Sequence, residues 1–240
     1  MTITATLPGP DALIAEANHR IGNSLALIAA LVRRHAATIS AWQRPVSIEE
    51  ILAALGEVEI RIKAVGRLHR LLAEAELGTA VNLGDYLRDI ADAAVSSLSC
   101  PGRVALSHKS AAGCIAPASQ ALPIALIAGE LITNAIKYAH PTGVAGKISV
   151  GCHRAVEDMI VVEVADDGIG LPERYDPMSQ GGLGLRLARS LAKRLQAKLM
   201  FQSNSLGLRV RLLVPAAQLN QDDAGDASMG SQALSGILPQ

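Results

Sequence analysis

The sequence predicts an α+β protein in which an antiparallel helical hairpin precedes an α/β sandwich. Apolar residues recur at helical spacing along the first third of the chain, whereas strand-like alternation begins only near residue 104. The strands and helices that follow lack the regular βαβ spacing of a doubly wound fold, which favours the sandwich. Half of the 240 residues are hydrophobic, which is enough for the cores of one or two small domains.

Composition and charge exclude several classes of protein. The 22 basic and 22 acidic residues cancel, which argues against a nucleic-acid binder, and five aromatic residues provide few platforms for base stacking. Cys100, Cys114 and Cys152 form no C-x-x-C pair, so we expect neither a disulfide framework nor a zinc site. The N-terminus lacks a signal peptide, and Pro123 and Glu130 interrupt the longest apolar run, which predicts a cytoplasmic protein without a membrane span.

The predicted hairpin consists of two helices with apolar stripes. The first stripe is Ile14, Ala17, Ile21, Leu25, Ile28, Val32 and Ile39. After a turn at 40–46, Ser47 and Glu50 form a capping box that begins the second helix. The second stripe is Ile48, Ile51, Leu55, Val58, Ile62, Val65, Leu68 and Leu72. Because a lone hairpin offers these stripes too little partner surface, it should form a four-helix bundle by homodimerisation or pack on something else.

The second unit follows a linker at 77–82, where Asn82 can cap a third helix, LGDYLRDIADAAVSSL. Strands are predicted at RVALSHKS, KISVGCHRA and MIVVEVAD, helices at PASQALPIALIAGELITNAIKYAH and LGLRLARSLAKRLQA, and a closing hairpin at KLMFQS and GLRVRLLVP. The chain thereby divides into an extension at 1–10, the helical hairpin at 11–77, a sandwich domain at 83–215 and a polar, disordered tail at 216–240.

One segment of the sandwich domain, ELITNAIKYAH, carries a polar face on a predicted helix. The spacing places Glu130, Asn134 and Lys137 together, with Tyr138 next to the lysine. An amide oxygen can bind Mg²⁺, an ammonium can neutralise phosphate, and a carboxylate can position a metal-bound water. Taken alone, the segment is better explained as the solvent-exposed face of an amphipathic helix.

Two glycine-rich turns follow. In VADDGIGLP, a strand delivers Asp166 to a turn containing Gly168 and Gly170, which let a ligand approach the backbone. In QGGLGLRL, Gly182, Leu183 and Gly184 precede a helix whose free N–H groups can face an anion. The first turn lacks the oxygen ligands of a calcium loop, and the second lacks the endings of a Walker or Rossmann loop. Each turn alone is equally well explained by structure.

Together and in this order, N-x-x-K-Y, D-x-G-x-G-x-P and G-x-G-L resemble the N, G1 and G2 boxes of the GHKL ATP-binding fold. The resemblance covers roughly residues 83 to 215 and implies an ATP held with Mg²⁺ between helices and a mixed sheet. It implies the following roles: Asn134 as Mg²⁺ ligand, Lys137 as phosphate contact, Asp166 as adenine contact, Gly168 and Gly170 around the base, Gly182 and Gly184 at the phosphates, and residues 172–180 as a short lid.

The first hairpin helix carries E-x-x-H-R-I-x-N, formed by Glu16, His19, Arg20, Ile21 and Asn23. This motif resembles the phosphoacceptor helix of the H-R-x-x-N class of sensor histidine kinases, which is related to the HWE group, and IKAVGRLHRLL in the second helix resembles the same class. Without the ATP boxes, a solvated polar residue of a bundle would be the better explanation of the histidine.

The chemistry of this motif fits phosphoryl transfer. Imidazole is a good nucleophile near neutral pH, and Glu16 and Asn23 lie one turn before and after His19. Glu16 can take the proton and Arg20 can pair with phosphate, whereas His35 and His69 lack such neighbours and are interpreted as structural. Gly22 stands where many members carry a lysine, and Arg20 stands where the common kinase class has an acid, so the proton acceptor stays open.

The resemblance implies a two-component histidine kinase that autophosphorylates His19 and passes the phosphoryl group to an aspartate of a response-regulator receiver domain. Since only 18 residues precede His19, we expect the signal to come from a partner or a separate sensor. Two alternatives stay open: a histidine phosphotransferase or phosphatase with a degenerate ATP domain, and a GHKL serine kinase of the anti-sigma type.

Overall fold

The computed structural model describes residues 47–74, 80–100, 102–111, 113–155 and 158–216, together with a few separate helical positions between 26 and 40. The predicted phosphoacceptor set of Glu16, His19, Arg20 and Asn23 lies outside these described residues. The predicted extension at 1–10 and all but the first residue of the predicted tail at 216–240 also lie outside them.

Helix α1, Ile48–Glu74, is the predicted second helix of the hairpin, and it begins with the predicted capping box. The Ser47 N–H donates to Glu50 Oε2 at 2.9 Å, and the Glu50 N–H donates to Ser47 Oγ at 3.2 Å. Glu49 and Glu50 also place negative charge at the positive end of the helix dipole, which stabilises the first turn.

Helix α1 packs on the sandwich domain through a face that the predicted apolar stripe indicated only at Val65. Its buried residues are Ile60, Arg61, Ala64 and Val65. Of the predicted stripe, Ile48, Ile51, Leu55 and Ile62 stay exposed in the single chain and Val58 is half-buried. The exposed apolar residues of this helix are Ile48, Ile51, Leu52, Leu55 and Ile62. The buried face includes the charged Arg61, which a search for apolar periodicity passes over, and the apolar Ile60 and Ala64, which lie off the predicted stripe.

Strand β1, Val81–Asn82, leads directly into helix α2, Leu83–Leu98. The predicted cap is confirmed, since Asn82 Oδ1 accepts from the N–H groups of Gly84 at 2.9 Å and Asp85 at 3.3 Å. Strand β1 pairs antiparallel with β3, Ile115–Ala116. These two strands were not predicted, because two residues are too few to show strand alternation.

The main sheet has five strands in the order β2-β4-β5-β7-β6. Their bounds are Val104–Ser110, Gly146–Ala155, Met159–Asp166, Gly207–Pro215 and Lys198–Asn204, in that spatial order. Strand β2 runs parallel to β4, and the other neighbours are antiparallel. Every predicted strand of this sheet is confirmed.

Two further helices, α3 at Ala118–Tyr138 and α4 at Leu183–Arg194, complete the helical layer. Alternate strand residues enter one core with the helices, so that one face of the sheet is covered. These strand residues are Ile148, Val150, Cys152, Ile160, Val162, Val164, Val210, Leu212 and Val214. The predicted α/β sandwich is therefore confirmed.

Helix α3 is the central helix of this layer and packs against α1, α2 and α4. Pro123 and Glu130 do not interrupt this helix, which continues through both and reaches 21 residues, long enough to span a membrane. Among the described residues it is the one helix long and apolar enough to do so, and 67% of its apolar window is buried within the fold. It therefore has the burial of a core helix.

The expectation of no disulfide framework is wrong for two of the three cysteines. Cys114, in the turn before β3, and Cys152, in β4, form a disulfide with a Cα–Cα distance of 6.2 Å. They are 38 positions apart in sequence, and the fold brings the turn against the strand. Cys100 is free and exposed.

A buried hydrogen bond joins α1 to α2 and should contribute to the stability of the fold. The Tyr86 hydroxyl is buried, which raises its pKa, and it donates to the Ala64 carbonyl oxygen at 2.8 Å. We expect Tyr86→Phe to lower the free energy of unfolding by about 1 kcal/mol, the net value of a typical hydrogen bond. Urea denaturation measures this change. Tyr138→Phe is the control, because Tyr138 is 65% exposed, and an equal effect of the two substitutions would contradict the assignment.

Candidate functional site

The polar face of α3 is built around Glu130, which is only 4% exposed. Arg61 of α1 donates from Nε to Glu130 Oε1 at 2.7 Å, and a second guanidinium nitrogen contacts the same oxygen. Burial raises the pKa of Glu130, and the charge of Arg61 opposes this shift. The alternative of a solvent-exposed face does not hold at Glu130, because its carboxylate is buried and bound to a cation from α1.

Lys137 lies two turns further along α3 and pairs with Glu57 of α1. Glu57 Oε2 also lies 3.5 Å from the guanidinium of Arg61. The four side chains of Glu57, Arg61, Glu130 and Lys137 thus form a charge cluster across the contact between α1 and α3. The predicted phosphate contact Lys137 is bound to a carboxylate in this structure.

The other two predicted residues of this helix differ in environment. Asn134 lies between Glu130 and Lys137 along α3 and is half-buried, and its amide forms no hydrogen bond with the described residues. Tyr138, at the end of the helix, is 65% exposed. The amide of Asn134 thus has no partner among the described residues, whereas the ring of Tyr138 is mostly in solvent.

Strand β5 ends at Asp166, the predicted adenine contact. Its Oδ1 accepts from the N–H groups of Gly168 at 3.0 Å and Leu208 at 3.2 Å. Burial raises the pKa of Asp166, and these two hydrogen bonds oppose the shift. No described residue donates to Oδ2, so the second oxygen is oriented by the first and open to an external donor.

The turn after β5 lies directly against the end of α3. A Cβ on Gly168 would overlap the carbonyl oxygen of Ala139, which accepts from the Ile169 N–H at 3.0 Å. Gly170 has φ +70°, a conformation that side chains other than glycine rarely adopt. Gly168 is therefore required for this close approach and Gly170 for the conformation of the turn, in addition to any part in ligand binding.

Asp167 and His140 were not among the predicted site residues. Asp167 Oδ1 accepts from the Lys147 N–H at 2.7 Å and lies 2.8 Å from His140 Nε2. Burial would raise the pKa of Asp167, but these contacts outweigh it and lower the pKa. These contacts tie the turn to the start of β4. The sequence signal for Asp167 was the D-D dipeptide, of which only the first residue, Asp166, was predicted as a site residue.

The second glycine turn begins α4. Gly182 is the N-cap residue, no side chain caps the helix, and a Cβ there would meet no described atom within 4 Å. A Cβ on Gly184 would instead overlap Glu130 Oε2. The turn is thus open at Gly182 and tightly packed against α3 at Gly184. The side chain of Leu183 lies outside the described part of the molecule.

The predicted lid, residues 172–180, is fixed at its end. Asp176 Oδ1 accepts from the Met178 N–H at 2.9 Å, and its hydrogen bond with the Ser179 hydroxyl lowers the pKa of Asp176. Arg189 of α4 donates to the carbonyl oxygens of Pro177 at 2.8 Å and Gln180 at 2.6 Å. Arg189 was not predicted, since its role depends on backbone groups that carry no side-chain signal.

The arrangement brings the three sequence motifs together on α3. One glycine turn touches the helix at Glu130 and the other at Ala139, and Asn134 lies between these points. In the described part of the chain, no three His, Cys, Asp or Glu side chains are placed to hold a metal ion. A cation here would depend on few protein ligands and on oxygens of a bound phosphate, as Mg²⁺ commonly does.

The chain matches two family models and several known proteins. Residues 16–98 match the family described as histidine kinase, and residues 119–218 match the family described as histidine kinase-, DNA gyrase B-, and HSP90-like ATPase. Blue-light-activated histidine kinase 2 of Erythrobacter litoralis is 27% identical over 213 residues, 87% of this chain and 58% of that protein.

Two further matches agree with these families. The sensor histidine kinase PdtaS of Mycobacterium tuberculosis is 29% identical over 200 residues, 83% of this chain and 37% of that protein. The solved histidine kinase domain of the Erythrobacter litoralis EL346 blue-light activated histidine kinase is 26% identical with a TM-score of 0.66, covering 87% of this chain and 93% of that one. The chain spans less than two thirds of the length of either curated relative.

The contact of Gly184 with Glu130 leaves no space for a side chain at position 184. Glu130 is buried and held by Arg61, so it cannot move aside for a methyl group. We expect Gly184→Ala to lower the free energy of unfolding by about 1–3 kcal/mol, the usual effect of overpacking. Gly182→Ala is the control and should change it by less than about 0.5 kcal/mol, since its Cβ enters open space. Denaturant unfolding measures both, and a tolerated Gly184→Ala would contradict the packing.

Proposed function

Because the chain belongs to the histidine kinases, with a histidine kinase domain and a gyrase B- and HSP90-like ATPase domain, we propose that it phosphorylates His19 with Mg-ATP. The phosphoryl group then passes to an aspartate of a response-regulator receiver domain. The observation that carries the proposal is the convergence of both glycine turns on α3, with the Asn134 amide between them. The domain limits of 11–77 and 83–215 form part of the same proposal.

The residues around α3 fit a magnesium-bound adenine nucleotide. Asp166 Oδ2 is placed to accept from the exocyclic amine of adenine, and the open N-terminus of α4 at Gly182 can receive phosphate oxygens. The Asn134 amide oxygen supplies a Mg²⁺ ligand, and Lys137 exchanges Glu57 for a phosphate oxygen. Bound Mg²⁺ neutralises charge that develops on the transferred group.

The phosphoacceptor chemistry belongs to the first hairpin helix. The imidazole of His19 attacks the γ-phosphorus, so that a P–N bond forms as the bond to the leaving ADP oxygen breaks. Glu16 accepts the imidazole proton, Arg20 pairs with the phosphoryl oxygens, and Asn23 holds a water for the reverse hydrolysis. These roles come from the family motif, and positioning of the two reactants supplies most of the rate.

The exposed stripe of α1 supports a homodimer built through the hairpin. An apolar face at helical spacing is typical of a bundle seam, and Ile48 and Leu52 are 76% and 61% exposed in the single chain. A second copy of the chain would cover this face in a four-helix bundle. We also propose a cytoplasmic location and a separate sensor or regulatory protein as the source of the signal.

One observation favours a second candidate function. Because Lys137 is bound to Glu57 of α1, the chain would serve as a histidine phosphotransferase or phosphatase if this pair never opens to nucleotide. Magnesium-dependent binding of an ATP analogue decides between the two candidates. The match of residues 16–98 to the histidine kinase family speaks against the serine kinase alternative.

The proposed activity predicts a covalent product with distinctive lability. We expect incubation with ATP labelled at the γ-phosphate to label the protein, and the label to be lost in acid but kept in base, as a phosphoramidate requires. His19→Ala should abolish labelling, whereas His35→Ala, a matched change on the same hairpin, should retain it. Label that persists on the His19 variant, or that survives acid, would contradict the proposal.

A further inference from the structure

Arg61 is an unusual residue for a surface helix, because it is 4% exposed and lies between two carboxylates. Burying a guanidinium is costly unless it is paired and hydrogen-bonded. Its principal partner, Glu130, is 69 positions away, in the helix that carries the ATP-site motif. The contact therefore joins the phosphoacceptor hairpin to the nucleotide domain.

The two carboxylate oxygens of Glu130 contact two different helices, α1 and α4. Oε1 is bound by Arg61, and Oε2 lies against the first turn of α4 at the place where a Cβ of Gly184 would be. The carboxylate is thus fixed at the positive end of a helix dipole, next to the turn proposed to receive the phosphates. Because the side chain is buried, the position of Oε2 depends on the cation that holds Oε1.

We propose that Arg61 is a positioning residue of the ATP site, which holds the Glu130 carboxylate at the first turn of α4 so that magnesium-dependent nucleotide binding requires a docked helix α1. The inference rests on the proposed function, in which Asn134 and the α4 turn receive the metal and the phosphates. Glu130 acts there by orienting a metal-bound water, and Arg61 acts only through Glu130.

In this arrangement, docking of helix α1 and binding of the nucleotide are energetically linked. If a docked α1 improves nucleotide binding by some factor, then bound nucleotide must favour docking of α1 by the same factor. The pair of Glu57 and Lys137 lies at the same contact, one turn away along α1. Movement of α1 would therefore change the ion pairs of Glu130 and Lys137 together.

The test compares two arginine substitutions on α1. Arg61→Met removes the contact with Glu130, whereas Arg67→Met removes a different ion pair between α1 and the nucleotide domain, with Asp89 of α2. The measurement is the dissociation constant of a non-hydrolysable ATP analogue, by calorimetry, with Mg²⁺ and with a chelator. The magnesium enhancement is the dissociation constant with chelator divided by the dissociation constant with Mg²⁺. It reports the contribution of the metal, which a general loss of stability does not change.

We expect the magnesium enhancement to fall at least tenfold in Arg61→Met. In Arg67→Met it should stay within twofold of its value in the unaltered chain. Equal enhancements in these two variants would overturn the inference while leaving the proposed function intact, provided that the unaltered chain binds the analogue with Mg²⁺. If the unaltered chain shows no magnesium-dependent binding, both the proposed function and the inference fail.

A second variant decides the question if Arg61→Met does not fold. The double change Arg61→Met and Glu130→Met replaces a buried ion pair by apolar side chains of similar length, an exchange that proteins often tolerate. We expect this variant to fold and still to lack the magnesium enhancement, because the carboxylate is absent. An enhancement equal to that of the unaltered chain would show that the pair only holds the structure together.

Discussion

The buried contact between Arg61 and Glu130 is the constraint on which the arrangement of this chain depends. Neither group can be buried alone, because an unpaired charge in the interior is unstable, so helix α1 and helix α3 must meet at this point. The hydrogen bond from Tyr86 to Ala64 fixes α1 to α2 nearby. Helix α1 is therefore packed against two helices of the sandwich domain, α2 and α3, rather than held as a separate arm.

Helix α3 serves both the core and the candidate site. Its apolar side fills the sandwich, with residues such as Ile127 and Ile132 fully buried, which explains why its composition resembles that of a membrane span. Its polar side meets α1, the turn after β5 and the first turn of α4. A rigid central helix that touches all three elements can place their functional groups accurately relative to one another.

Most of the fold could be predicted because its signals are local. The bounds of α2, β5 and β7 agree residue for residue with the predicted segments, since their periodicity, caps and turns lie within them. The disulfide of Cys114 and Cys152 and the burial of Arg61 depend on partners distant in sequence, which leave no local pattern. The candidate site motifs were likewise proposed from order and spacing, whereas the pairing of Lys137 with Glu57 of α1 was not predicted.

Hydrogen exchange tests most directly the proposed coupling, through α1, of the phosphoacceptor hairpin to the nucleotide domain. Amide exchange would be followed by mass spectrometry with and without Mg²⁺ and a non-hydrolysable ATP analogue. Slower exchange at residues 57–65 of α1 on nucleotide binding, although these residues lie outside the nucleotide motifs, is the predicted result. Protection confined to residues 130–139 and 166–184, with exchange of α1 unchanged, would contradict the account.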